Sequence, residues 1–141
     1  MKKTKRRRMF HYVPEFLTPD DHRSVQKAMF SSPQVLQWFQ EVFQDPTLQV
    51  SHRLPIEFRR YPTGSQGMKW HKDTPLGQKY ECVYTVANTS DSHTMYRDFW
   101  GRTHSVWTEP NSLVILQPNG VWHGVTPVTR GERTIIKFAL E

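Results

Sequence analysis

The segment Trp70-His71-Lys72-Asp73 sets an imidazole and a carboxylate two residues apart. On a strand, positions i and i+2 point to the same side about 6.6 Å apart, so both side chains can reach one metal ion. Fifty residues after Asp73, the run Val121-Trp122-His123-Gly124 offers a second imidazole in another strand-like stretch. Two histidines and one aspartate form the facial triad of non-haem Fe(II) oxygenases, which leaves coordination positions open for co-substrate and O2. A His-x-Asp pair alone is a weak signal in a chain with seven histidines. Its context must carry the rest.

Arg133 stands ten residues beyond His123, after the turn-like Arg130-Gly131-Glu132 and at the head of the strand-like Thr134–Leu140. There its guanidinium can clamp a ligand carboxylate, a charge-assisted bond worth on the order of 1.5–3 kcal/mol. The plainer alternative is a surface arginine paired with Glu132. Tyr61 closes another strand-like run just before Pro62, Gly64 and Gly67, ten residues ahead of His71. Its hydroxyl can enter the same cavity, or the ring can sit amphipathically on the rim of the core.

These groups need a scaffold. Phe10–Val13 alternates like a short strand. Thr18-Pro19-Asp20-Asp21 reads as a capped helix start, with proline in the first turn and carboxylates at the positive end of the dipole. That helix is expected to run to about Phe30 and bury Val25, Ala28 and Met29. A second, from Pro33 to Phe43, presents Val35, Leu36, Phe39, Val42 and Phe43 to a core. Seven β-like runs follow, at 56–61, 68–73, 80–87, 104–108, 113–117, 121–125 and 134–140, while 88–98 reads as a loop. That texture predicts a mainly β sandwich or barrel with N-terminal helices packed outside.

Length and charge set the outer bounds. A chain of 141 residues is one domain in size, here 10–141 behind a basic arm at 1–9. Lys2, Lys3, Lys5, Arg6, Arg7 and Arg8 hold the whole net charge of +6. Removing those six from the nineteen Lys and Arg residues leaves thirteen, equal to the acidic count. A nucleic-acid groove binder normally carries its basic patch on the folded surface, so nucleic acid is not the expected partner. No apolar run approaches the ~18 residues of a membrane span, and no secretory signal is recognisable, so an intracellular location is expected. Cys82 is the single cysteine and can form no internal disulfide.

Together, Tyr61-Pro62-x-Gly64-x-x-Gly67-x-x-x-His71-x-Asp73 and His123-x-x-x-Pro127-x-Thr129-Arg130-Gly131-x-Arg133 resemble the Fe(II)/2-oxoglutarate-dependent dioxygenases. The prolyl and lysyl hydroxylase branch is the most similar, and Phe10–Asp21 resembles its opening strand and helix. The resemblance implies a double-stranded β-helix, a jelly-roll variant. It implies Fe(II) held by His71, Asp73 and His123, the distal carboxylate of 2-oxoglutarate held by Arg133, and Tyr61 close to that co-substrate. Tyr84, which matches no motif position and shares a strand face with Tyr80, Cys82 and Val86, is named as a second contact. The implied reaction consumes O2 and 2-oxoglutarate, with ascorbate as a candidate reductant, and releases succinate and CO2 while hydroxylating an unactivated C–H bond. A prolyl or lysyl residue of a peptide is the implied substrate, with a small molecule as the alternative. Two other classes stay open: a non-enzymatic jelly-roll binding module with a degenerate metal site, and a metal-dependent cupin enzyme that uses no 2-oxo acid.

The chain departs from the branch in lacking a Gly-Gly-Glu segment after the third core strand, where it reads Asn88 to Asp98. The second arginine of the nucleic-acid demethylases is replaced by Ala139, and Asp73 stands where iron halogenases carry a small residue. His11, His22, His52, His93 and His104 are expected to be solvent-facing or hydrogen-bonded. Trp70 and Trp122 should face away from the metal as packing residues, because neighbours on a strand alternate. Tyr96, Trp100 and Trp107 are expected in the core, with an aromatic wall for the substrate as the alternative.

Overall fold

The computed structural model describes residues 10–141. The sequence expectation for the arm at 1–9 lies outside them. Nine strands form two antiparallel sheets: β1 (Phe10–Val13), β2 (Glu57–Tyr61), β3 (Met68–His71), β4 (Tyr80–Asn88), β5 (Thr94–Arg97), β6 (Thr103–Val106), β7 (Ser112–Leu116), β8 (His123–Val125) and β9 (Arg133–Leu140). The larger sheet runs in the order β1-β7-β4-β9-β2 and the smaller in the order β3-β8-β5-β6. From β2 to β9 the chain passes back and forth between the sheets, pausing only at the β5–β6 hairpin. This is the expected double-stranded β-helix, with β1 added beyond β7.

Alternation along the strands of the larger sheet separates two environments. Tyr80, Cys82 and Tyr84 of β4, Leu113 and Ile115 of β7, and Ile136, Phe138 and Leu140 of β9 point away from the smaller sheet into the hydrophobic core. The helices close that core. Helix α2 (Pro33–Val42) is capped by the Ser32 hydroxyl and buries Val35 and Phe39, with Phe43 following. Val42, expected inside, is half exposed.

The first helix is shorter than its sequence predicts. Thr18 caps α1 (Pro19–Arg23) as expected, but the helix stops at Ser24, whose hydroxyl bonds the Asp20 carbonyl. A serine that bonds back one turn competes with helix continuation. The chain extends at Gln26 and re-forms as a 3-10 helix, Lys27–Ser31, that buries Phe30. Val25 and Met29 pack only partly against the core, and Ala28 is exposed.

The segment 88–98 is not all loop. It contains β5, which pairs with both β6 and β8. The polar run Asn88-Thr89-Ser90-Asp91-Ser92 disguised the strand behind it.

Candidate metal centre

Between the sheets lies a cavity of about 230 Å3, lined by the opposite faces of the same strands. His71, Asp73, His123, Tyr61 and Arg133 all line it. His71 and His123 are register partners on β3 and β8, which brings the two imidazole centroids within 4.3 Å. Asp73 follows β3, and its Oδ1 stands 3.4 Å from His71 Nε2 and 3.2 Å from His123 Nε2. Adjacent ligands at about 2.1 Å from an octahedral ion stand about 3.0 Å apart, so these separations suit a shared cation. The three ligand atoms lie within 4.8 Å of one another.

The tautomers are set by the backbone. His71 Nδ1 lies 2.7 Å from the Lys69 carbonyl and His123 Nδ1 lies 2.9 Å from the Val121 carbonyl. A carbonyl can only accept, so each Nδ1 carries a proton, and Nε2 on the Asp73 side is the nitrogen free to bind a metal once it has lost its own proton. Gly67, at φ +76°, lets β3 lie against β8: a Cβ there would overlap the Val125 carbonyl.

The electrostatics hold Asp73 negative to lower pH, and the His123 imidazolium to higher pH, than is usual for each group. Burial alone pushes the Asp73 carboxyl up, but His123, His71 and Lys137 outweigh it and leave its pKa below the usual range. Burial likewise disfavours the His123 imidazolium, but Asp73, the Val121 carbonyl and Glu81 more than offset it, so its pKa is raised. A metal and a proton would compete for His123 Nε2, and lower pH favours the proton. Apparent metal affinity is therefore expected to fall as pH drops through the raised His123 pKa, a decline that begins above the ordinary histidine range. Titration calorimetry in two buffers of different ionisation enthalpy should show proton release near that pH. A pH-independent affinity would place the metal elsewhere.

At the start of β9, Arg133 is 6% exposed. It pairs with no carboxylate among the described residues, because Glu132, its expected surface partner, binds Arg60 at 2.6 Å. Its Nε is buried with no hydrogen-bond partner. Burial lowers the Arg133 pKa from the usual arginine range, opposed by its neighbour Tyr61, the register partner across β2 and β9. Thr85 and Ser112 are register partners on β4 and β7, on the cavity-side face of the sheet, and their hydroxyls also lack partners. An isolated buried cation whose Nε lacks a partner is costly unless an anion enters. The donors fit a carboxylate.

Tyr84 does not reach this cavity. It lies on the helix-side face of β4, where its hydroxyl donates to Asn111 Oδ1 at 2.9 Å and shares a hydrogen bond with His22 Nδ1. The face it shares with Tyr80 and Cys82 is the core face, so its expected contact with a co-substrate is corrected to a structural role. Burial pushes its phenol pKa up. Tyr84→Phe is expected to cost about 1–3 kcal/mol of stability, by leaving its partners unsatisfied, and to leave co-substrate binding unchanged. Denaturant melts beside binding titrations will check this.

The face of β4 not singled out in the sequence supplies Glu81 and Val83 to the cavity, and Arg59 of β2 and Lys137 of β9 line it from the faces of Tyr61 and Arg133. Period-two counting from Arg133 finds Lys137. Trp70 and Trp122 face away from the site as expected, but they are exposed rather than packed. Trp100 and Trp107 are also exposed, and Tyr96 stacks between Phe10 and His104. None of those three lines the cavity. His11, His52 and His104 are exposed, His22 bonds Tyr84, and His93 Nδ1 bonds the Asp91 carbonyl.

Comparison with solved structures agrees with this architecture. No family model matches the sequence, and no curated protein matches it. A prolyl-4-hydroxylase from Pseudomonas putida superposes with a TM-score of 0.70 at 19% identity, over 92% of this chain and 83% of that one. An oxidoreductase of the 2OG-Fe(II) oxygenase family from Burkholderia pseudomallei superposes with a TM-score of 0.69 at 11% identity, over 81% of this chain. This chain spans only 53% of that protein. The non-heme alpha-ketoglutarate-dependent epimerase SnoN of nogalamycin biosynthesis gives 0.73 at 10% identity, over 96% of this chain and 78% of that one. The fold is thus a jelly roll. More narrowly, it is similar to the fold of these 2OG-Fe(II) oxygenase structures.

Proposed function

We propose that this protein is an Fe(II)- and 2-oxoglutarate-dependent dioxygenase that hydroxylates an unactivated C–H bond, with a prolyl or lysyl residue of a peptide as substrate. The observation that carries this reading is the buried, unpaired Arg133 in one cavity with His71, Asp73 and His123. A metal triad alone would serve any cupin. The added carboxylate receptor calls for a co-substrate that is itself an acid.

His71, Asp73 and His123 would hold the iron, with Lys69 and Val121 fixing the imidazoles through their carbonyls. Bound iron supplies the coupling of 2-oxo acid decarboxylation to C–H oxidation. Arg133 receives the distal carboxylate, with the Thr85 and Ser112 hydroxyls on the same side of the sheet. Tyr61, opposite Arg133, bounds that end of the cavity. Val83, Val114 and Ile135 form an apolar wall that keeps water from the reacting atoms. A peptide substrate is supported by the likeness to the Pseudomonas hydroxylase, and hydroxylation by Asp73 being a carboxylate.

The test is anaerobic loading with Fe(II), then 2-oxoglutarate and O2 with a panel of prolyl and lysyl peptides and small molecules. Succinate release matched by a gain of one oxygen in a single panel member supports the reading. Metal binding without succinate would favour a binding module, and oxygen use without 2-oxoglutarate a cupin enzyme of another kind.

A further inference from the structure

The face of the smaller sheet turned away from the cavity has a chemistry that the site does not use. The bulge between Met68 and His71 puts Lys69 and Trp70 on that face of β3. Trp122, just before β8, and Arg97 of β5 lie beside them, joined by the Arg97 N–H donating to the Trp122 carbonyl at 2.9 Å. Arg97 stacks over the Trp70 ring at 4.9 Å, and Lys72 over the Trp122 ring at 5.4 Å. Both rings keep substantial exposure, 37% for Trp70 and 46% for Trp122.

The β5–β6 hairpin extends this face. Its tip presents Phe99 and Trp100, the latter 79% exposed, next to Arg102. The tip is held in shape: Asp98 Oδ1 accepts from the Trp100 and Arg102 amides at 2.8 and 2.9 Å, and Asp98 Oδ2 meets His104 Nε2 at 2.7 Å. Across β3, β5, β6, β8 and their flanking residues 72 and 122, Asp98 of the hairpin is the single carboxylate, against Lys69, Lys72, Arg97 and Arg102. The even balance of acid and base in residues 10–141 is an average over faces. This face is cationic.

We propose that this outer sheet face, with the hairpin tip, is a docking surface for single-stranded nucleic acid. Cations and tryptophans alternate here across strands about 4.8 Å apart, as a groove needs to neutralise phosphates while bases stack on aromatic rings. Insertion into a bilayer is a poorer match, because burying Trp70 and Trp122 would take the cations stacked on them out of water. The proposal is independent of the catalytic reading, since it uses the opposite face of the sheet.

The experiment is fluorescence anisotropy of labelled oligo(dT) and oligo(U) with the full-length chain at several salt concentrations. Four cations on the face set a log K against log salt slope of up to about −3, and the double change Lys69→Gln/Arg97→Gln should reduce it by about 1.4. Trp100→Ala, at an exposed tip, should weaken binding roughly 5- to 150-fold at fixed salt. Melting temperatures close to the parent confirm that the variants fold. The proposal is overturned by absence of binding, by binding that depends on residues 2–8 and ignores the face variants, or by anionic phosphatidylglycerol vesicles binding where oligonucleotides do not. Poly-glutamate displacing the oligonucleotide, with Trp100→Ala neutral, would also overturn it by reducing the interaction to charge alone.

Discussion

Changing Asp73 to alanine is expected to weaken divalent-metal binding by roughly 100-fold or more, the largest effect of any single substitution in the site. Groups that merely orient a ligand are worth 10- to 100-fold in affinity, and a carboxylate ligand does more. It supplies the negative charge of the triad and, at 3.2 and 3.4 Å, the oxygen between the two imidazoles. Competition with a chelating dye, using Mn(II) or Co(II) in place of air-sensitive Fe(II), measures the loss directly. His123→Ala should behave alike. Unchanged affinity in either variant would remove the metal from this cavity and leave the triad as an ion-paired cluster.

The second large effect combines binding with stability. Arg133→Ala should raise the 2-oxoglutarate concentration required roughly 10- to 150-fold, the equivalent of one charge-assisted pair at ~1.5–3 kcal/mol. Metal binding should stay the same. Arg133→Met should lose the same affinity yet melt higher than the parent when no ligand is present, because an apolar side chain of similar length relieves an isolated buried cation. Saturating 2-oxoglutarate should then raise the melting temperature of the parent and not of the methionine variant. A methionine variant that melts lower and still responds to 2-oxoglutarate would contradict the role given to Arg133.

The chemistry of this chain was easier to read than its packing. His71 and Asp73 stand two apart, so period two puts them on one side, while His123, in a second strand, joins them only through the motif order of the resemblance. Strand formation supplied the rest. Tyr84 shows the limit of that logic. Alternation groups it correctly with Tyr80 and Cys82, but nothing in the alternation says which face meets helices and which meets a second sheet. That depends on where α2 and Phe30 dock, a matter of tertiary packing. The first helix failed for a local reason: a serine that bonds its own preceding turn outweighed good capping. Strand β5 was hidden because its pairing comes from β6 and β8, far along the chain, while its own approach is written in turn-forming residues. The outer tryptophans were read as packing because large aromatics usually are. Their exposure follows from the smaller sheet having no layer behind it among the described residues.

Among the described residues, strand β2 ends the larger sheet on one side, so one row of its backbone donors and acceptors has no described strand beyond it. Such a border invites another chain to pair and, repeated, to polymerise. Its sequence, Glu-Phe-Arg-Arg-Tyr, makes that pairing unfavourable. A second copy laid alongside would bring Arg59 and Arg60 near their own equivalents, and Arg60 is already committed to Glu132. The other end of the larger sheet is β1, only four residues long. A charged border of this kind disfavours edge-to-edge pairing of copies beside the open apolar cavity between the sheets.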